Sequence, residues 1–228
     1  MAGIMLKAIL PILLASTVIG TAAAQSSKSV PAQAYSGKSQ YNAPFTDPAN
    51  VRNDLARIDA SMNATHSFQG NFVQVAPNGE VSRGEIWLQR PGKVRFEYAA
   101  PNPLLIVSDG VTLVQNDRQL QTFDRVPLSA TPLNYFLKEN INLANDTEVT
   151  SLQKLPGQWV VTARDGSGQQ EGAITLVFNS ETLALQTWII SDDFGGQTRV
   201  QLSNLQYNGG IDPRLFILRE DSNRRDRR

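Results

Sequence analysis

The chain contains no cysteine and only one histidine among its 228 residues. The first absence removes disulfides, thiol nucleophiles and cysteine-ligated metals. Together the two leave zinc almost without ligands. Lipid attachment at a cleaved N-terminus is removed as well, because that modification needs a cysteine as the first mature residue. An excess charge of one sign is also lacking, since 21 Lys and Arg face 21 Asp and Glu, so no broad basic surface for nucleic acid is expected. Aromatic residues make up only 7% of the chain, yet 41% of it is hydrophobic, which is enough for one packed domain. Long apolar runs are missing apart from Ala8 to Ile19, which carries Pro11 and is too short to span a bilayer. Lys7 precedes that run and Ala22-Ala23-Ala24 follows it, so residues 1–24 read as a signal peptide, starting at Met1 or Met5 and leaving Gln25 as the first mature residue. Without Lys7 the mature chain holds one more acidic than basic residue.

Residues 25–46 are mostly Ser, Gln, Ala, Pro, Tyr and Lys without apolar periodicity, and read as a flexible leader. An ordered domain is expected over 47–218, and the Arg-rich stretch 219–228 reads as a polar tail. Asp47 and Pro48 open a helix, with Val51, Leu55, Ile58 and Met62 on one side, that ends near Asn63. After it the period changes to two: Phe68 to Phe72, Ile86 and Leu88, Val94 to Tyr98, and Leu104 to Val107 read as strands, with a tight Asp109-Gly110 hairpin into Leu113-Val114. Leu120 to Phe123 supplies a returning strand. Thr131 is then expected to cap, and Pro132 to open, a short helix carrying Leu133, Phe136 and Leu137. The second half reads as strand and turn: Glu148 to Leu155, Trp159 to Ala163, Ala173 to Phe178, Leu183 to Ile190, Thr198 to Leu205, and Leu215 to Leu218. Some ten closely spaced strands with few helices predict one antiparallel sheet, strongly curved or nearly closed, with helices packed against one opening. Those helices either fill the hollow as core or cover a cavity.

Arg90 is the residue that stands out. It follows a strand in which Ile86 and Leu88 share one face and Glu85, Trp87 and Gln89 the other, and Pro91 after it cannot donate to a sheet ladder. Arg90 shares the parity of Ile86 and Leu88, so its guanidinium reaches the rim of an apolar surface, where its donors need acceptors. Those acceptors are either groups that close down over the rim or the nearby carboxylates of Glu85 and Glu97.

Residues for chemistry are scarce. His66 has no nucleophile elbow to serve, Asp192-Asp193 before Phe194-Gly195-Gly196 reads as a hairpin tip, and Gly166-Ser167-Gly168 reads as a plain turn. No phosphate loop or dinucleotide fingerprint is present, and neither a metal nor another cofactor is called for. Binding is therefore favoured over catalysis. A lipid hydrolase built on a cavity would need a base that His66 is badly placed to be.

The motifs Phe68-x-Gly-x-Phe72-x-Gln74, Gly84-x-x-Trp87-x-x-Arg90-Pro91-x-x-x-Arg95-Phe96, Pro101 with Ile106-Val107-Ser108-Asp109-Gly110, and Thr131-Pro132-Leu133 with Leu137 resemble the LolA family of periplasmic outer-membrane lipoprotein carriers. The resemblance covers about residues 49–218. It implies a mainly β fold, an incomplete half-open barrel with a lid of short helices over an apolar cavity that holds lipoprotein acyl chains. It implies that Arg90 latches the lid, and that Phe72, Ile86, Leu88, Val94, Phe96, Leu133, Phe136, Leu137 and Trp188 line the cavity or the lid. The implied partners are acylated lipoproteins, an inner-membrane ABC lipoprotein-releasing complex and an outer-membrane receptor resembling LolB, met by a monomer in the periplasm. LolB shares the fold but is itself a lipoprotein, so Gln25 in place of a cysteine fits the soluble shuttle. Val94 stands where many relatives carry a larger aromatic, and Leu113-Val114-Gln115 lacks the Trp or Tyr often found there. A lipid- or glycolipid-binding sensor on the same fold, without a transfer step, is the alternative.

Overall fold

The computed structural model describes residues 48–166 and 172–218. The expected signal peptide, the leader, the Asp47 cap, the Ser167-Gly168 part of the turn and the Arg-rich tail lie outside the described residues. Within them, eleven strands form one antiparallel sheet: β1 (Ser67–Val75), β2 (Val81–Gln89), β3 (Lys93–Tyr98), β4 (Leu104–Asp109), β5 (Thr112–Asp117), β6 (Thr122–Pro127), β7 (Glu148–Leu155), β8 (Gln158–Arg164), β9 (Ala173–Asn179), β10 (Leu185–Ser191) and β11 (Gln197–Tyr207). Their order is β6-β5-β4-β3-β2-β1-β11-β10-β9-β8-β7, so the sheet is not closed and both β6 and β7 are edges.

Alternation drives the curl. In β3, β8 and β9 every second residue is buried, which puts one side of each strand into a shared interior. Strands β3 and β10 stand four positions apart in the sheet, about 19 Å along its surface at the usual spacing. Yet the rings of Phe96 and Trp188 meet with centroids 6.1 Å apart. A flat sheet could not bring them together. Gly84 assists by leaving room for Phe72: a Cβ there would lie 2.7 Å from the Phe72 ring.

Three helices complete the described fold: α1 (Pro48–Ala64), α2 (Asn134–Leu137) and α3 (Leu143–Asp146). Leu55, Ile58 and Met62 of α1 are buried, with Val51 partly so, and form one apolar stripe against the sheet interior. The mainly β, half-open barrel with short helices is thus the observed architecture.

Local details differ from the sequence reading. Leu215 to Leu218 is not a strand: Pro213–Phe216 forms a 3-10 turn, because Pro213 has no ladder donor and the Asp212 carboxylate accepts from the Arg214 amide at 2.9 Å. Leu120 belongs to a turn in which Asp117 Oδ1 accepts from the Gln119 and Leu120 amides, so β6 starts only at Thr122. Leu183 sits at φ 54°, which delays β10 to Leu185. Thr131 does not cap α2; its hydroxyl donates back to the Leu128 carbonyl at 2.8 Å, closing a 3-10 turn over Leu128–Ala130 and leaving α2 one turn long. The helix α3 was not expected. Asn142 starts it by accepting from the Asn145 amide at 3.2 Å.

The C-terminal turn covers part of the outer face of the sheet. Leu105 and Val107 point outward beside Arg95 and Glu97, and are buried together with Phe216. Arg95 donates to the Leu215 carbonyl at 3.2 Å and to Glu97 at 2.6 Å, and Arg118 reaches the same carboxylate at 2.6 Å. Burial alone would lift the Glu97 carboxyl, but hydrogen bonds from Arg118 and Arg95 and their charges hold it below its usual 4.5. A carboxylate depressed in the fold stabilises it above the unfolded value, and that stability is lost as pH falls through the folded value. In urea titrations Glu97→Gln should therefore be less stable than wild type near pH 7, with the gap narrowing as pH falls below the usual 4.5. A gap independent of pH would remove the charge from the explanation.

Candidate functional site

Helix α1 ends at Ala64 without a glycine to turn its last carbonyls inward, so the oxygens of its final turn need donors from elsewhere. Besides the Thr65 hydroxyl, which donates to the Ser61 carbonyl at 3.4 Å, two side chains from elsewhere in the fold supply them. Asn208 Nδ2 donates to the Ala64 carbonyl at 3.1 Å, while Asn208 Oδ1 accepts from the His66 amide at 2.8 Å. Arg90 Nη1 donates to the carbonyls of Met62 and Thr65. Its Nε and Nη2 donate to the Phe136 carbonyl of α2 at 3.1 and 2.9 Å. One guanidinium thus binds the end of α1 and the body of α2 at once, and its charge lies where the α1 dipole favours a cation. Burial lowers the Arg90 pKa to about 10, which leaves it charged at neutral pH. Carbonyls supply these bonds, whereas Glu97 pairs with Arg95 and Arg118 and Glu85 is exposed on the outer face.

The backbone of the same turn reinforces the grip. The Arg90 amide donates to the His66 carbonyl at 2.8 Å, and the Gly92 amide donates to the Leu137 carbonyl at 2.8 Å. Gly92 has φ +71°, and a Cβ on it would lie 2.6 Å from the Cα of Gly110. The β2–β3 turn is therefore wedged between α2 and the tip of the β4–β5 hairpin.

Beneath the helices the interior is filled by rings and aliphatic chains. Phe72 meets Phe96 edge-on at 5.4 Å, Phe96 meets Trp188 at 6.1 Å, and Phe136 of α2 lies tilted on Trp188 at 5.3 Å. Ile86, Leu88, Val94 and Leu137 are buried in the same cluster, with Leu133 partly buried against it. All of the residues proposed from sequence as cavity or lid therefore share one interior. A small crevice of about 20 Å³ remains where α1 leaves the sheet, lined by Met62, Phe68, Leu88, Arg90, Phe136, Leu205 and Tyr207. At the opposite end of the interior, Tyr98 donates to Gln74 at 2.8 Å, a buried polar pair that satisfies both oxygens.

Several contributors escape a reading of the sequence. Asn63, read there only as the end of the first helix, donates to the Ile141 carbonyl at 2.9 Å and accepts from the Ile141 amide at 2.8 Å. Asp59 accepts from the Leu143 amide at 3.1 Å, its pKa raised by burial. These bonds fasten α1 to the loop between α2 and α3 and to the first residue of α3. A polar residue near the end of an amphipathic helix, with no local partner in sequence, is the signal that was there to be used.

Residues 63–219 match the family model described as outer membrane lipoprotein carrier protein LolA. The chain belongs to the LolA family. An outer-membrane lipoprotein carrier protein from Alkalilimnicola ehrlichii is 30% identical over 184 residues, covering 75% of this chain and 81% of that one. Another from Chromobacterium violaceum is 26% identical over 176 residues, covering 71% and 81%. Among solved structures, a LolA superfamily protein from Nitrosomonas europaea is similar with TM-score 0.44 at 11% identity, covering 72% of this chain and 97% of that one. The LolA match takes in all eleven strands, α2, α3 and Arg90, but begins at Asn63, near the end of α1. Among the described residues no helix is long and apolar enough to cross a membrane.

Replacing Gly92 by alanine adds both a strained φ and a collision with Gly110. Gly92→Ala is expected to lower unfolding free energy by more than about 1 kcal/mol in urea titrations. Unchanged stability would mean that the turn has room to shift.

Proposed function

We propose that this chain carries acylated lipoproteins across the periplasm, taking them from an inner-membrane ABC releasing complex and handing them to an outer-membrane receptor. The observation that carries the reading is the bond set of Arg90, which joins α1 to α2 over an apolar interior in a LolA family chain. Burying one methylene is worth about 0.8 kcal/mol, so a sixteen-carbon chain represents about 12 kcal/mol against entering water. Lipoproteins cannot cross an aqueous space unaided at that cost. The interior described here offers aromatic and aliphatic surface of the required kind, supplied by Phe72, Ile86, Leu88, Val94, Phe96 and Trp188 on the sheet and by Leu133, Phe136 and Leu137 on the lid.

In this reading Arg90 is the latch. Acyl chains enter by displacing Phe136 and α2 from the rings below, which breaks charged hydrogen bonds of about 1.5–3 kcal/mol each. Reforming them when the chains depart offsets part of the loss of acyl burial. The latch thus lowers the affinity for cargo and favours discharge.

The test is Arg90→Leu, loaded with a triacylated lipopeptide and mixed with receptor-bearing vesicles. The lipopeptide should bind at least tenfold more tightly than to wild type and pass to the vesicles at least tenfold more slowly. Wild-type transfer kinetics in the variant would remove Arg90 from the mechanism. A wild-type protein that binds lipopeptide but never delivers it would support a sensor instead.

A further inference from the structure

Helix α2 has four residues, too few to hold a helical conformation without tertiary support. Arg90 and Gly92 supply that support on one side, from the turn between β2 and β3. On the other side the Tyr135 hydroxyl donates to Asp165 Oδ1 at 2.8 Å, just beyond the end of β8. Burial raises the Tyr135 pKa, and the hydrogen bond to Asp165 and the charges of Asp165 and Asp146 raise it further, so the phenol keeps its proton at neutral pH.

Strands β1, β11, β10 and β9 lie between β2 and β8. The five steps from β2 to β8 amount to about 24 Å along the sheet surface. The helix that bridges them rises only about 6 Å over its length. A bridge so much shorter than the path beneath it fits only a sheet that stays tightly curled, and each fastening therefore bears on the other.

We infer that Tyr135 and Asp165 form a second anchor of the lid, opposite Arg90, and that α2 holds the two walls of the open sheet together as a tie between them. Tyr135 is a positioning residue here, acting on α2 and through it on the Arg90 turn. The inference rests on the carrier reading for its use but not for its existence, since every bond of the tie lies within the chain. Its loss loosens α2 at the distant end as well, where Gly92 meets Leu137.

Hydrogen exchange of the full mature chain, without lipid, reads this directly. Tyr135→Phe keeps the ring and deletes the donor, Asp165→Ala deletes the acceptor, and Asp165→Asn keeps an acceptor oxygen. Tyr135→Phe and Asp165→Ala should each speed exchange of the Gly92 amide about tenfold, with β1 and β2 amides unchanged and Asp165→Asn closer to wild type. Gly92 exchange within twofold of wild type in all three variants would overturn the tie. So would a rise shared equally by β1 and β2, which marks general unfolding, if Asp165→Asn also leaves Gly92 no different from its neighbours. Addition of a triacylated lipopeptide separates the two readings: fast Gly92 exchange in the variants with no lipopeptide bound by any form, wild type included, would leave the tie standing and sink the carrier reading.

Discussion

A half-buried guanidinium cation among helix carbonyls is the interaction on which the closed form depends. Burying a charge is costly unless its donors are satisfied, and Arg90 meets that condition with oxygens that were themselves short of donors. The dependence is mutual. Remove the arginine and the carbonyls of Thr65 and Phe136 lose this donor, while that of Met62 keeps only the Thr65 amide; remove either helix and the cation loses part of its acceptor set at the edge of an apolar surface. Neither side is stable half-made, so closure around Arg90 behaves as a unit and not as a sum of small contacts.

This explains how a short helix comes to cover a large apolar interior. One turn of backbone contributes little by itself, yet Phe136 and Leu137 are fully buried because the carbonyls of those same two residues are held from below. Backbone anchoring and side-chain burial are produced together. With the rings of Phe72, Phe96, Trp188 and Phe136 in mutual contact, the interior presents no broad greasy surface to water, which matters for any protein whose inner wall is suited to lipid.

Period-two patterning and turn residues made the sheet legible in the sequence, and the parity of Ile86, Leu88 and Arg90 placed the guanidinium at the rim of the apolar face. What parity cannot supply is the identity of acceptors, since those are backbone atoms with no signature of their own. The Phe136 carbonyl lies 46 residues from Arg90, and the Asn63 pairing with Ile141 spans 78. The misplaced strand at Leu215 has a similar cause: an apolar doublet reads the same whether it enters a ladder or packs as a turn on the outer face, and only Pro213 and the Asp212 cap favour the second. Helix α3 was invisible because four residues are too few to display a period.

Among the described strands β6 and β7 each pair on one side only, and this sets a mechanical property. In a closed barrel, strand number and stagger fix the girth, and enlarging it means breaking ladder bonds. Among the described residues no ring of hydrogen bonds encircles the interior. The radius can grow by a few degrees of extra opening at each of ten strand pairs, with every backbone bond intact, so the volume inside is a matter of bending stiffness and not of bond rupture. A container of that kind takes its size from its contents.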